Sequence, residues 1–200
     1  LSTFGEDPES DPGYKERFSQ LVDRSRAWAA FDDGVMVATA ATFDLAIGVP
    51  GGGSLDIAGL TAVTVRPSHR RRGLLRQLMA RHLDDARRRG IAVSGLWASD
   101  AAIYGRFGYG VAAENDVVQI DDARSIEVAA GRDLGELTWI DEARAREVLP
   151  DVYARATAAR PGVLRRTPVW WRERCFVEHA FSRRGASRRR HVVARRGQDV

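Results

Sequence analysis

The chain has 200 residues, enough for one ordinary domain or one domain and part of another, and for a core that needs no disulfide staples. Hydrophobic residues at 44% and charged residues at 29% exclude collagen-like, disordered and membrane-embedded classes. Thirty-one basic against 27 acidic residues leave +4, yet Lys15 is the only lysine, and so uniform an arginine bias beside abundant Ala and Gly reads as a codon habit.

The N-terminal LSTFGEDPESDPG is acidic and polar, without the basic start and apolar stretch of a signal peptide. Residues 14–26 carry Phe18, Leu21 and Val22 at helical spacing and predict a helix. Two apolar strand-like runs follow within residues 28–49, split by Asp32-Asp33-Gly34, a hairpin signal because Asp-Gly tolerates positive φ. Gly51-Gly52-Gly53 marks a loop, and residues 55–65 (LDIAGLTAVTV) a third strand ended by Arg66-Pro67.

Residues 73–89 give the clearest helix, with Leu74, Leu75, Leu78, Met79, His82, Leu83 and Ala86 on one face and a stop at Gly90. IAVSGLWAS (91–99) reads as a strand buried on both faces, and Ser99-Asp100 as the cap of a short helix through Tyr104. NDVVQI (115–120) predicts another strand. Strand, helix and strand over 55–99 form a βαβ crossover behind an antiparallel hairpin, so the fold class is α/β with a mixed sheet.

Farther on, GELTWI (135–140) predicts a strand, and DEARAREVLPDVYARATAA a helix bent or interrupted at Pro150. VWWRERCF predicts a helix, and RHVVARRGQDV a strand and turn whose returning arm would begin at Val200. That unfinished hairpin predicts a chain that continues in a longer protein.

The chemistry concentrates in VTVRPSHRRRGLLRQLMARHL, residues 63–83. A strand ends, an arginine-rich loop follows, and a helix starts at Gly73. Exposed N–H groups and the positive dipole end of a helix start make an anion site. Gly73 lets a phosphate approach the backbone, and Arg70 and Arg71 add charge-assisted contacts. No Gly-Lys-Ser/Thr follows and the G-x-G-x-x-G spacing is missing, so this is neither a Walker nor a dinucleotide loop.

The segment resembles the coenzyme A loop of GCN5-related N-acetyltransferases, whose pattern after a strand is Arg/Gln-x-x-Gly-x-Gly/Ala. Arg70-Arg71-Arg72-Gly73-Leu74 matches it up to the last position, where Leu75 replaces a small residue. The longer strings VTVRPSHRRRGLLRQLM and GLWASDAAIYGRFGYG (95–110) resemble one branch, the enhanced intracellular survival acetyltransferases of actinobacteria. The similarity spans residues 28–122, and PGVLRRTPVWW resembles that branch's second acetyltransferase-like domain.

The resemblance implies an acetyl-CoA N-acyltransferase fold, a mixed and mostly antiparallel sheet with a central βαβ unit. Residues 1–122 would form the N-terminal acetyltransferase domain and residues 133–200 the beginning of a second, similar one. A C-terminal domain similar to sterol carrier proteins, absent from this chain, and a homohexamer complete the implied whole. Acetyl-CoA would donate to a primary amine of a small molecule, aminoglycoside-like or lysine-like, without a metal. Matched position by position, Val63 and Val65 would line the pantetheine arm, Arg70, Arg71, Gly73 and Leu74 would hold the phosphates, and Ser99 would lie near the cofactor. Tyr104 would be the general acid. The family's base is attributed to its C-terminal carboxylate, a role not given to Val200.

The residues support these roles chemically. A phenol with a pKa of about 10 is protonated at neutral pH and can protonate a thiolate whose thiol has a pKa near 8.5. A backbone N–H near Val65, left unpaired where strands 55–65 and 91–99 splay, would stabilise an oxyanion. Phe43 is assigned to the acceptor pocket because its strand leads toward the same sheet edge. His82 reads as a packed histidine, Trp28, Trp97 and Trp139 as core, and His69 as facing either phosphate or solvent.

One lone cysteine, Cys175, fits a reducing, cytoplasmic home. Two rivals remain: a coenzyme-A-binding regulatory or structural module without turnover, and a nucleic-acid binder using Arg183–Arg196. That stretch lacks interleaved aromatics and reads as a solvated face or subunit contact, so neither nucleic acid nor membrane is expected as a partner.

Overall fold

The computed structural model describes residues 13–114, 135–178 and 187–195. Helix α1 (Tyr14–Leu21) is shorter than its periodicity predicts, because Val22 turns extended and opens strand β1 (Val22–Asp32). Two things compete with the helix there. Val22 is buried opposite Phe43, and the Asp23 carboxylate accepts from both the N–H and the hydroxyl of Ser25.

Strand β1 returns as β2 (Val35–Gly48) through Asp33 and Gly34, both at positive φ (47° and 76°), the tight hairpin that Asp-Gly favours. Strand β3 (Ser54–Val65) pairs antiparallel with β2. Helix α2 (Leu74–Arg88) then crosses over to β4 (Val93–Leu96), which runs parallel to β3. The order β1-β2-β3-β4 makes the mixed, mostly antiparallel α/β sheet expected.

Residues alternate faces along β2, and the core divides accordingly. Ala41, Phe43 and Leu45 face a layer containing Val22, Ile57, Phe18, Leu21 and Trp170. Ala38 and Ala40 face the other layer, with Leu60, Leu78 and Met79; burying each of these last two side chains contributes about 2 kcal/mol.

Later segments add a separate two-stranded sheet and one short strand on the edge of β2. Strand β5 (Glu136–Ile140) pairs antiparallel with β7 (His191–Arg195), and between them lies α3 (Glu142–Thr157), capped by Asp141 accepting from the Arg144 N–H. Of the bend or interruption expected at Pro150, the interruption does not occur: helix α3 runs through that residue, forgoing the bond it would give to the Arg146 carbonyl. Strand β6 (Leu164–Arg165) pairs with Ala46 and Ile47 of β2, and α4 (Pro168–Trp170) continues as a π-helical turn over Trp171–Cys175.

Three sequence expectations are corrected. Among the described residues β4 pairs with β3 alone and is partly exposed, so it is not buried on both faces. Trp97 and Trp139 are 64% and 65% exposed instead of core, whereas Trp28 packs edge-on to His82. The strand at 115–120, the turn after Arg195, and residues 183–186 and 196 of the Arg183–Arg196 stretch lie outside the described residues. Within that stretch Arg189 donates to the Cys175 carbonyl and Arg190 stacks over Trp139.

Candidate active site

The site begins where two strands part. Parallel pairing of β3 and β4 runs from Ile57↔Val93 to Leu60↔Leu96 and stops, leaving the rest of β3 without that neighbour. On its other side β3 carries a bulge. Thr39 faces Thr64 while Ala41 faces Thr61, so Ala62 and Val63 together oppose Ala40. Ala62 takes the left-handed conformation (φ 50°), and Thr39 Oγ1 holds it by donating to its carbonyl at 2.7 Å.

Past the bulge, the Arg66 N–H donates to Val37 on β2. Neighbouring N–H groups alternate along a strand, so that of Val65 points to the edge β4 has left. The unpaired donor expected near Val65 is therefore oriented into the splay.

A short 3₁₀ turn (Pro67–His69) and the arginine loop carry the chain to α2. Arg71 and Gly73 both stand at positive φ (62° and 80°), and a Cβ on Gly73 would meet nothing within 4 Å. Helix α2 starts there with no side-chain cap and no acid in its first turn. Its first N–H groups therefore face the open space over Gly73. Arginines beside a helix N-terminus oppose its dipole, a conflict that a bound anion resolves. The residues present thus fit a pyrophosphate.

The facing wall is built from two consecutive 3₁₀ turns, Ala101–Ile103 and Gly105–Phe107, with Tyr104 between them. The Asp100 carboxylate caps the first by accepting from Ala102 N–H at 3.2 Å, the cap expected of Ser99-Asp100. Burial, and secondarily the nearby Asp100 charge, hold the half-buried Tyr104 phenol above its ordinary pKa.

Between these walls lies a cavity of about 670 Å³. Val63, Val65, Arg70, Arg71, Gly73, Leu74, Ser99 and Tyr104 all line it. Phe43 does not: it is 4% exposed, on the opposite face of β2, edge-on to Phe18 and Trp170. His69 lines the cavity too, its Nε2 2.9 Å from Asp32 and its Nδ1 2.8 Å from Ser68 Oγ.

Sequence reasoning passed over Ile103, Arg106 and Phe107, which complete the wall around Tyr104. They stand in the same AAIYGRFGYG string, where hydrophobic spacing around the tyrosine was the available signal. Leu75 lines the cavity at the position where the family pattern expects a small residue. Among the described residues no group of three His, Cys, Asp or Glu side chains is placed to hold a metal ion, and no helix is long and apolar enough to cross a membrane.

Comparison with known proteins gives the family and the fold. Residues 2–112 match the family described as Acetyltransferase (GNAT) domain. An uncharacterized N-acetyltransferase of Streptomyces coelicolor is 42% identical over 190 residues, covering 92% of this chain and 46% of the relative. The N-acetyltransferase Eis of Mycobacterium tuberculosis is 39% identical over 145 residues, covering 69% of this chain and 35% of Eis. In three dimensions the chain superposes on the crystal structure of Eis1 from Mycobacterium abscessus with a TM-score of 0.66 at 30% identity, over 88% of this chain and 43% of that one. This chain therefore spans about half the length of such relatives or less. With the family match extending over the hairpin, the βαβ unit and the Tyr104 wall, the chain belongs to the GNAT acetyltransferases, and Eis is among its relatives.

Proposed function

We propose that this domain moves an acetyl group from acetyl-CoA to a primary amine of a small molecule, by direct attack in a ternary complex. One observation carries the reading. The splayed end of β3 with the arginine loop that follows it, and the Tyr104 turn some 30 residues farther on, come from two separate stretches of chain, and all line one cavity.

The acetyl donor, when bound, supplies a thioester carbonyl and a thiolate leaving group. Arg70, Arg71 and the first N–H groups of α2 hold its phosphates. Val63 and Val65 pack along the pantetheine arm, with Ser99 nearby. The Val65 N–H, fixed by the strand before the reaction starts, donates to the oxygen that gains charge, so no reorganisation is needed there. Tyr104, protonated at neutral pH with burial raising its pKa further, gives its proton to the departing sulfur, and the proton the amine sheds as the amide forms restores the phenol by way of solvent.

An aminoglycoside-like polyamine or a lysine-like amine is the proposed acceptor class, a hexamer the proposed assembly and the cytoplasm the proposed setting. All three rest on the family resemblance, the last also on the lone cysteine. The test is thiol release from acetyl-CoA by the full-length gene product across a panel of amines, at neutral and mildly alkaline pH. Release with one amine class supports the reading and defines the pocket. Tight acetyl-CoA binding with no release from any amine replaces it with a coenzyme-A-binding regulatory module.

A further inference from the structure

A buried polar chain runs from the middle of the sheet to the back of the cavity wall. His82, on α2, is 1% exposed. Its Nδ1 lies 2.7 Å from Thr42 Oγ1 on β2, and its Nε2 lies 2.7 Å from Ser94 Oγ on β4. Ser94 Oγ also donates to the Ala58 carbonyl at 3.0 Å and lies 2.6 Å from the Tyr109 hydroxyl.

One set of proton positions that satisfies these contacts starts from Ser94. A serine hydroxyl has one proton, and that of Ser94 goes to Ala58. The His82 Nε2–H and the Tyr109 hydroxyl must then both donate to Ser94 Oγ. His82 Nδ1 is left as an acceptor and takes the proton of Thr42. Whichever way the protons run, the 2.6 Å contact with Ser94 Oγ fixes where the Tyr109 hydroxyl lies.

Tyr104 is held differently. No described residue hydrogen-bonds its hydroxyl, and its neighbours Ala102, Gly105 and Arg106 are exposed. The direction of its phenol therefore depends on what its ring packs against. Tyr109 is such a neighbour, edge-on with ring centres 6.0 Å apart and planes at 65°. Tyr109 is not itself part of the cavity wall.

We propose that Tyr109 is a positioning residue for Tyr104: tethered through Ser94 and His82, it holds the phenol at the angle from which it delivers its proton. The inference rests on the acid role of Tyr104 and gives a part to a second tyrosine of the same string.

The test is a double-mutant cycle on the full-length protein, with thiol release from acetyl-CoA measured with kanamycin or with whichever amine of the panel turns over fastest. Tyr109→Phe keeps the ring and cuts the tether to Ser94. Displacements of about an ångström cost up to ~100-fold in rate, so a loosened ring is expected to lower kcat about tenfold. KM for acetyl-CoA should stay within about twofold, because Tyr109 lies outside the cavity lining. In a Tyr104→Phe background, Tyr109→Phe should then cost less than about twofold, because its effect is already lost.

An equal loss of kcat in both backgrounds, or no loss in the first, overturns the positioning role while leaving Tyr104 as acid. No loss of kcat on Tyr104→Phe alone removes the acid role and the positioning role together.

Discussion

His69 Nε2 lies 2.9 Å from Asp32 Oδ2, which ties the tip of the β1–β2 hairpin to the loop that leads into the proposed phosphate cradle. Arg72 reaches the same carboxylate at 3.7 Å. The ring of His69 lines the cavity, so Asp32 shapes a wall it does not itself touch. Asp32→Ala is expected to raise KM for acetyl-CoA with little change in kcat. The carboxylate is about half exposed, and such pairs contribute about 0–1 kcal/mol, which limits the rise to roughly fivefold. Initial rates over a range of acetyl-CoA concentrations check this, and a fall in kcat at unchanged KM would count against the tie.

Gly73 tests the cradle directly. Its φ of 80° strains any residue bearing a Cβ, although the space around it is open. Gly73→Val combines a backbone cost of about 1–3 kcal/mol with a side chain placed where phosphate is expected. Acetyl-CoA affinity measured by calorimetry should fall by more than about tenfold. Arg70→Ala, which leaves the backbone alone, should weaken binding in the same direction, and more so at low salt than at high salt. Undiminished binding in both variants would move the phosphates elsewhere.

What could be read from the sequence divides along the same line as what is local. The Asp33-Gly34 turn, the α2 periodicity and the arginine loop each carry their signal within a few residues, and each lies where that signal puts it. Phe43 needed more. Its strand heads toward the site, but its side is set by alternation along β2, which turns it into the layer of Phe18 and Trp170. The bulge at Ala62 and Val63, which has no marker residue, shifts the β2–β3 register between Thr39 and Ala41. Strand β4 misled for a similar reason. Its apolar run fits burial on both faces, yet burial depends on which elements pack against it, and Trp97 is left in solvent. His82 was legible as buried, but its partners come from β2 and β4, 40 residues before it and 12 after.

His82 should leave a mark on stability. Burial holds its pKa down at about 4, against an ordinary value near 6.5. Between those values the unfolded chain binds a proton that the folded chain does not. Stability therefore rises with pH through that window, and is lost as pH falls from about 6.5 to about 4. The contribution is up to about 3 kcal/mol. Urea midpoints at steps from pH 7.5 to pH 4 should show the decline, and His82→Gln should flatten that part of the profile while lowering stability at pH 7.5. A wild-type midpoint unchanged between pH 6.5 and 4.5 would mean that the histidine is not held neutral by its surroundings.

Tyr104 provides the sharpest kinetic test, because one atom separates it from phenylalanine. Tyr104→Phe keeps the ring against Tyr109 but removes the only proton it can give. General acid catalysis contributes about 10²–10⁴-fold, so kcat should fall at least about 100-fold while acetyl-CoA affinity changes little. The pH profile carries a second signature. The acid form is the active one, and both burial and the charge of Asp100 raise the pKa. Activity limited by this proton should therefore hold up to pH values beyond the ordinary tyrosine range near 10 before it falls. Asp100→Asn removes one of the two causes and should move that fall to lower pH. An alkaline limb that stays in place in Asp100→Asn and persists in Tyr104→Phe would belong to another group, and Tyr104 would then be part of the wall and not of the chemistry.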